Sequence, residues 1–477
     1  MPFVILPTNS ASGGYDLTNS LRFNRGSSDG LSKTFASNSN RRTFTFSCWF
    51  KLTPSSSSGE RVLLGGSDGT GYLWFLINSV GNIYLQNNPS STIDLFTNQK
   101  LRDYSAWYHI VLAIDTTQAT NTNRVKIYLN GSQITSFESP YNVYPSQNQD
   151  LNFTTSTHAL KIGEIFSANY FDGYMSDVFY IDGQQLEPSS FGETDEDTGI
   201  WKPKAYTGTY GTNGFYLQFK NSSSLGTDSS GNGNTFTVNN LTSVDQSTDT
   251  PTNNFATLNS ILYSTSITYA EGNLKFTNTS AGSQRMVAST IAPTTGKWYA
   301  ECRVTSLGGT YPQVGVLDTS IYTMDTYVGA LARGYGYASH GQVYNNAGAL
   351  TTGLATYTDN DIIGVALDLD NNYVYFSKNG TFINSGVPTS GSSGTGGWAI
   401  ADGYDYSFGS SSLDSGTDPV FDWNFGSPFY TGGSNTDGSG KGNFSYSVPS
   451  GYFALCTANL STQGWYVFKQ QIQNLAR

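Results

Sequence analysis

The 477 residues are too many for one ordinary domain, and only 12% are charged against 14% aromatic, with 52 glycines. That is a composition of half-buried pleated strands and tight turns rather than of helices. The net charge of −11 offers no basic stripe to phosphates and is repelled by anionic lipid, which excludes nucleic acid and membrane surfaces as expected partners.

Residues 1–7 carry a short apolar patch at 3–6 and no basic leader, so no secretory signal is expected there, and no run is long enough to span a membrane. Strands are predicted from alternation at Thr43–Leu52, around Phe44, Phe46 and Cys48, then at Tyr72–Ile77 and 83–86. Residues 107–115 form a nearly continuous apolar run, the mark of a central strand. Residues 124–129 alternate Val125, Ile127 and Leu129 against Lys126 and Tyr128, and Asn130-Gly131 closes a hairpin because both residues tolerate positive φ. A further strand covers 173–181.

Periodicity is lost over 189–254, where Glu193-Thr-Asp-Glu-Asp197 and Asp228-Ser-Ser-Gly-Asn-Gly-Asn234 punctuate short strand candidates at 215–219 and 235–238. This stretch reads as a bridge that partly belongs to the first domain. Strands resume at 296–304, 313–317, 362–369, 373–377 and 381–383, with a turn at Asn379-Gly380. Residues 329–341 read as hairpin loops and 388–397 as an exposed loop. Trp465, Phe468, Ile472 and Leu475 fall at helical spacing, which predicts a short closing helix. Cys48, Cys302 and Cys456 are too dispersed for a disulfide framework or a cysteine zinc site and read as buried thiols.

The predicted fold is all-β: two antiparallel β-sandwiches of jelly-roll type in tandem. They divide as a sandwich at 1–190, a bridge at 191–254, a second sandwich at 255–455 and a C-terminal segment at 456–477.

Three strings, Trp107-Tyr-His-Ile-Val-Leu-Ala-Ile-Asp115, Arg124-Val-Lys-Ile-Tyr-Leu-Asn-Gly131 and Phe171-Asp-Gly-Tyr-Met-Ser-Asp-Val178, occur in order over roughly 15–190. Together they resemble the laminin G/pentraxin-like branch of concanavalin-type folds. Over about 255–455, Gly296-Lys-Trp-Tyr-Ala-Glu301, Ile362-Ile-Gly-Val-Ala-Leu-Asp-Leu-Asp370 and Tyr373-Val-Tyr-Phe-Ser-Lys-Asn-Gly380 resemble a SPRY domain. The arrangement, with the opening Tyr15-Asp-Leu-Thr-Asn-Ser-Leu-Arg-Phe23 and the string Asp228–Phe236 in the bridge, is similar to structural proteins of marine tailed phages.

These resemblances imply a non-enzymatic protein on the exterior of a phage particle, a tail fibre, appendage or adhesin that binds host-surface glycan or protein through sandwich loops. Its other implied partners are virion proteins and further copies of itself. The alternative they leave is a capsid or tail decoration, and a polysaccharide-degrading enzyme comes third. SPRY domains bind through loops at one end, which nominates the aromatics Tyr335, Tyr337, Tyr344, Trp398, Tyr404 and Tyr406. Laminin G-like sandwiches can hold calcium at a rim, and Asp115 and Asp172 are the candidate ligands, each with turn capping as its simpler role.

Catalysis finds little support. Laminarinase-like enzymes place Glu-x-Asp-x-x-Glu on one strand, but the nearest string, Glu193-Thr-Asp195-Glu-Asp-Thr198, ends in Thr and lies in polar loop. His109 sits inside an apolar strand as a core residue, far in sequence from His158 and His340.

Overall fold

The computed structural model describes residues 14–54, 59–89, 91–261, 266–279 and 281–463. The residues expected to form an apolar patch at 3–6, and the four expected to line the closing helix, lie outside this set. The chain folds as two compact units, one spanning Thr8–Thr252 and one built on Asn253–Arg477. Among the described residues α-helix is confined to Asn121–Arg124 and Thr457–Gln463. Its sheets are antiparallel, as the alternation predicts, except where Phe453–Ala454 pairs in parallel with Lys297–Ser306.

The first unit holds two eight-stranded sheets. One runs in the order Ser132–Ile134, Val125–Leu129, Tyr108–Asp115, Thr43–Leu52, Gly173–Asp182, Ser20–Phe23, Gln246–Ser247, with Phe215–Leu217 added beside Gly173–Asp182. The other runs Phe137–Val143, Ile93–Lys100, Asn82–Asn88, Tyr72–Ile77, Arg61–Ser67, Leu160–Ile162, Gly30–Lys33, Thr237–Asn239. Successive side chains of a strand point to opposite faces. Phe44, Phe46, Cys48 and Phe50 of the first sheet therefore share one buried cluster with Leu73, Phe75 and Ile77 of the second. Each such ring or branched side chain contributes roughly 1.5–3 kcal/mol of burial.

The back of the first sheet is buried too. Val111, Ala113, Phe179 and Ile181 are covered by Phe191 and Tyr216 with Leu186, Tyr206 and Tyr210. Trp49, Trp107 and Tyr174 are covered by Leu17 with Tyr15 and Trp201. The aperiodic bridge is thus the cover of a sheet that is apolar on both faces, and cover needs rings at the right places rather than a repeat. Under it, the Trp201 indole N–H donates to His109 Nδ1 at 3.0 Å, which leaves the proton on Nε2 to donate to Ser47 Oγ at 2.8 Å. Burial lowers the His109 imidazole to about 3, so the ring is neutral and fully engaged, the core role expected of it.

The second unit repeats the plan. A nine-stranded sheet is ordered Ile267–Ala270, Lys275–Asn278, Val420–Asn424, Lys297–Ser306, Ile362–Asp368, Tyr373–Lys378, Thr381–Phe382, with Trp398–Ala399 and Phe453–Ala454 attached to it. A six-stranded sheet is ordered Gln284–Ala288, Tyr406–Asp414, Gly309–Asp318, Gly334–Ala338, Gln342–Asn345, Gly348–Thr351. Trp298, Cys302, Val365 and Phe376 face Val314, Tyr337 and Phe408 in the core between them. The back of the larger sheet, at Tyr299, Ala366 and Tyr375, is covered by Phe255, Phe444, Tyr452 and Cys456. Lys297 pairs with buried Asp368 at 2.9 Å. Glu301 accepts the backbone N–H groups of Ser445 and Tyr446 at 2.8 and 2.9 Å and so pins the covering segment.

Residues 329–341 are not the loop expected. They contain the strand Gly334–Ala338, interior to its sheet. Its glycines face a 3-10 turn at Val328–Ala330, and a Cβ on Gly336 would come within 2.2 Å of Gln313 Oε1, which itself accepts the Gly329 N–H.

Replacing Glu301 by Ala strands two buried donors and is expected to cost about 3 kcal/mol of stability, read by urea unfolding. The depressed His109 basicity gives stability that is full above the unfolded imidazole value and is lost as pH falls from there toward 3. His109→Gln should remove roughly 3 kcal/mol of that acid sensitivity, seen as a smaller drop in unfolding free energy between about pH 7 and about pH 4.

Candidate functional site

The back of the second sheet in the first unit carries the feature that sets it apart. On Tyr72–Ile77 the odd positions Leu73, Phe75 and Ile77 enter the core, which turns Tyr72 and Trp74 outward. On Asn82–Asn88 the same alternation sends Ile83 and Leu85 inward and leaves Tyr84, Gln86 and Asn88 on the outer side. Phe96 and Asp94 follow from Ile93–Lys100, and Tyr141 and Val143 from the neighbouring edge strand.

The rings touch in sequence across the strands. Phe166 meets Tyr72 at 4.7 Å between centroids, Tyr72 meets Trp74 at 5.2 Å, and Trp74 meets Tyr84 at 6.4 Å. Tyr84 meets Phe96 at 5.4 Å and Phe96 meets Tyr141 at 5.8 Å. Phe166, Tyr141 and Val143 are 51%, 43% and 41% exposed, and the rings between them are half-buried. At roughly 4.8 Å per strand, the ladder crosses four paired strands and continues to Phe166.

Amides and a carboxylate are set among the rings. Gln86 stands opposite Trp74 on one side and Asp94 on the other, and Asn88 donates to the Tyr72 hydroxyl at 2.9 Å. Burial, with the hydrogen bond and charge of Asp94 beside it, pushes the Tyr84 phenol up, so it is neutral at any physiological pH. The Trp74 indole N–H and Oδ1 of Asp94 have no hydrogen-bond partner among the described residues. The arrangement offers flat apolar surface with scattered polar handles and no nucleophile or paired acids. It is a surface for stacking and hydrogen bonding.

The aromatics nominated in the second unit are mostly elsewhere than a binding loop. Tyr335, Tyr337, Trp398 and Tyr406 are core residues, 6%, 0%, 6% and 0% exposed. Tyr335 and Tyr337 are the alternate residues of Gly334–Ala338 that face inward, Trp398 packs on Phe376 and donates to Thr351 Oγ1, and Tyr406 donates to Ala401 O. Tyr344 is half-buried, its hydroxyl bonded to His340 Nε2 at 3.0 Å. Tyr404 is 38% exposed, with the Arg333 guanidinium 4.1 Å from its ring centroid.

Asp115 and Asp172 are not brought together. Asp115 stands opposite Thr43 and Gly173 opposite Leu52, the two ends of one strand, so roughly 30 Å separates the carboxylates at the rise of a strand. Burial alone would raise the Asp115 carboxyl, but donors from Gln118, Thr117 and Thr43 outweigh it and hold it low, which is the capping role. Asp172 lies in the field of Arg25 and Arg61 instead. The two residues do not fit one calcium ion. Among the described residues no three of His, Cys, Asp and Glu gather as a metal-binding group. The Asp195 carboxylate likewise caps a turn, accepting from Thr198 and pairing with Lys202 at 3.0 Å.

Sequence reasoning passed over the aromatic face although its signal was present. A strand whose inward positions are already Leu, Phe and Ile has no structural need for Tyr and Trp between them.

Two family models match the chain. Residues 25–184 match the concanavalin A-like lectin/glucanases superfamily, and residues 297–395 match the SPRY domain. No curated protein sequence matches it. Among solved structures, it is similar to the SPRY domain of human HERC1, at 16% identity and a TM-score of 0.28 over 35% of this chain and 92% of that one. It is similar to the native heptameric SAP-like pentraxin of Limulus polyphemus, at 16% identity and a TM-score of 0.28 over 36% of this chain and 80% of that one. A candidate carbohydrate binding protein of Bacteroides ovatus is 16% identical, with a TM-score of 0.32 over 48% of this chain and 60% of that one. The chain thus carries a concanavalin A-like domain and a SPRY domain in tandem.

Proposed function

We propose that this chain is a non-enzymatic surface protein of a bacteriophage particle that binds host-surface glycan through the aromatic face of its first unit. The observation that carries the binding reading is the continuous ladder from Phe166 to Tyr141, with Gln86, Asn88 and Asp94 set among its rings. A sugar ring presents an apolar C–H face to an aromatic ring and hydroxyls to its edges, so a ladder of rings with amides between them matches a glycan chain better than it matches a charged partner. The acidic charge of the chain favours a neutral polymer over an acidic one. The particle location rests on the likeness of the opening segment and of the bridge to tailed-phage structural proteins. Attachment as a homo-oligomer beside other virion proteins belongs to the same reading.

A ladder of exposed rings is also a surface that another virion protein could cover, which is the decoration reading. The two separate in one experiment. Purified protein is titrated with neutral host polysaccharides while intrinsic tryptophan emission is followed, and Trp74→Ala and Tyr404→Ala are titrated alongside. Glycan binding weakened about tenfold or more by Trp74→Ala and unchanged by Tyr404→Ala supports the reading. Absence of any glycan response, with the protein held on particles through the same face, assigns decoration. Release of reducing ends assigns an enzyme.

A further inference from the structure

Behind the first sheet, and independent of the glycan reading, an amine and a carboxyl group are shut away together from water. Lys51 lies on Thr43–Leu52, whose Phe50 enters the core and whose Trp49 joins the cluster behind the sheet, so Lys51 stands on the back. Asp249 follows Gln246–Ser247 at the far end of the bridge. Lys51 Nζ is 2.8 Å from Asp249 Oδ2, and the two side chains are 1% and 2% exposed. The Trp107 indole N–H donates to the other oxygen, Oδ1, at 3.0 Å. Tyr174, opposite Lys51 in the register, has its ring centroid 5.6 Å from Nζ. The backbone of Asp249 is held too, its N–H by Ser247 Oγ at 3.1 Å and its carbonyl by the Ser20 hydroxyl at 2.6 Å.

This pair differs from the others in the chain. Among the described residues the other lysines paired with carboxylates keep 17% to 29% of the side chain exposed, so water still solvates their ammonium groups. An ion pair taken wholly out of water loses two hydration shells, and apolar residues of the same volume often hold a fold as well or better. An amide has no such desolvation to offset. Amine and carboxyl are also the two reactants of an amide bond, and holding them in contact on a rigid sheet removes most of the entropic barrier between them.

We propose that Lys51 and Asp249 join as an isopeptide, a bond the folded chain makes in itself between a central strand and the end of the bridge. The Lys51 ammonium passes one proton to Oδ2, which leaves an amine, a carboxylic acid and no charge in the pair. The amine lone pair bonds to Cγ while the carbonyl π pair moves onto Oδ1, where the Trp107 N–H stabilises the oxyanion. A second proton moves from the nitrogen to the Oδ2 hydroxyl, the Cγ–Oδ2 bond breaks, and Oδ2 leaves as water. Nothing is oxidised or reduced, and no co-reactant enters. The product ties residue 51 to residue 249 and locks the bridge onto the sheet it covers.

The test is the intact mass of the purified full-length protein, with a peptide map of the denatured chain. The parent is expected to weigh one water less than its sequence, allowing for loss of Met1, with a branched peptide joining Lys51 to Asp249. Lys51→Arg keeps a cation beside Asp249 and so keeps the fold, but it removes the reactive amine and should weigh its full sequence mass. Asp249→Asn should close the same bond by losing ammonia in place of water, a signature that no salt bridge produces. Trp107→Phe, sampled at intervals after synthesis, should close about a hundredfold more slowly. A parent protein at its full sequence mass with Lys51 and Asp249 in separate linear peptides overturns the proposal and leaves the pair a buried salt bridge. A water loss that persists in Lys51→Arg, or a branch at any other residue, overturns it as well.

Discussion

Both units are organised by one constraint: their central sheet is apolar on both faces and must be covered twice. In Tyr108–Asp115, Ile110, Leu112 and Ile114 enter the sandwich core while Val111 and Ala113 belong to the cluster behind it. In Lys297–Ser306, Trp298, Ala300, Cys302 and Val304 face the partner sheet while Tyr299 faces the cover. A second sheet supplies one cover, and the other comes from chain with no repeat of its own. That chain is ordered by single polar anchors, Trp201 on His109 in the first unit and Glu301 on the backbone of 445–446 in the second. In the first unit the outer side of the opposite sheet is covered only in part, where Ile165 packs on Val62 and Leu76, and the rest of it is the aromatic face. The candidate binding surface is therefore a place where large aromatic side chains stand outward side by side and stay partly exposed.

Legibility in the sequence followed from how each strand is buried. Thr43–Leu52 and Tyr72–Ile77 could be read to the residue because their alternation or apolar run is complete. The hairpin turns were legible from Asn130-Gly131 and Asn379-Gly380, whose φ values are 47° and 81° in both turns. Tyr406–Asp414 was invisible. Its Ser407, Ser410, Ser411 and Ser412 are fully buried, a composition that reads as a loop. Ser410 accepts the Trp423 indole N–H and Ser411 the backbone N–H of Val328, so small hydroxyls fill a tight interface while closing hydrogen bonds that an alanine would leave open. Gly334–Ala338 misled in the same way, since alternating Gly and Tyr looks like an exposed turn until the glycines are seen to admit a neighbouring turn and the tyrosines to fill the core.

The candidate sites divide along the same line. Aromatics were nominated where glycine density suggested loops, and four of the six proved to be packing residues. The rings of the aromatic face other than Phe166, which lies in a turn, sit on regular strands, where position parity alone would have turned them outward. Asp177 stands in the string Phe171–Val178 that carries the resemblance, but its burial and contacts had no signal there. Its position depends on a slipped register and on two tyrosines, Tyr15 and Tyr216, 162 and 39 residues away in the chain. Pairing at that distance is a property of topology, not of local pattern.

The topology has a consequence for synthesis. Ser20–Phe23 lies between Gly173–Asp182 and Gln246–Ser247, so an early strand of the first sheet is bordered by one of its last. A ribosome adding about 5–20 residues per second takes roughly 10–50 s to reach that closing strand. Throughout that interval a sheet meant to be covered on both faces is covered on neither side completely. The second unit sets a similar wait, since Phe453–Ala454 joins Lys297–Ser306 from the far end of its own segment. Long-range closure of this kind folds slowly and leaves strand edges open to other nascent chains. The high density of Ser, Thr, Asn and Gly in the chain then acts before the fold exists, keeping the growing polypeptide solvated until its last strands arrive.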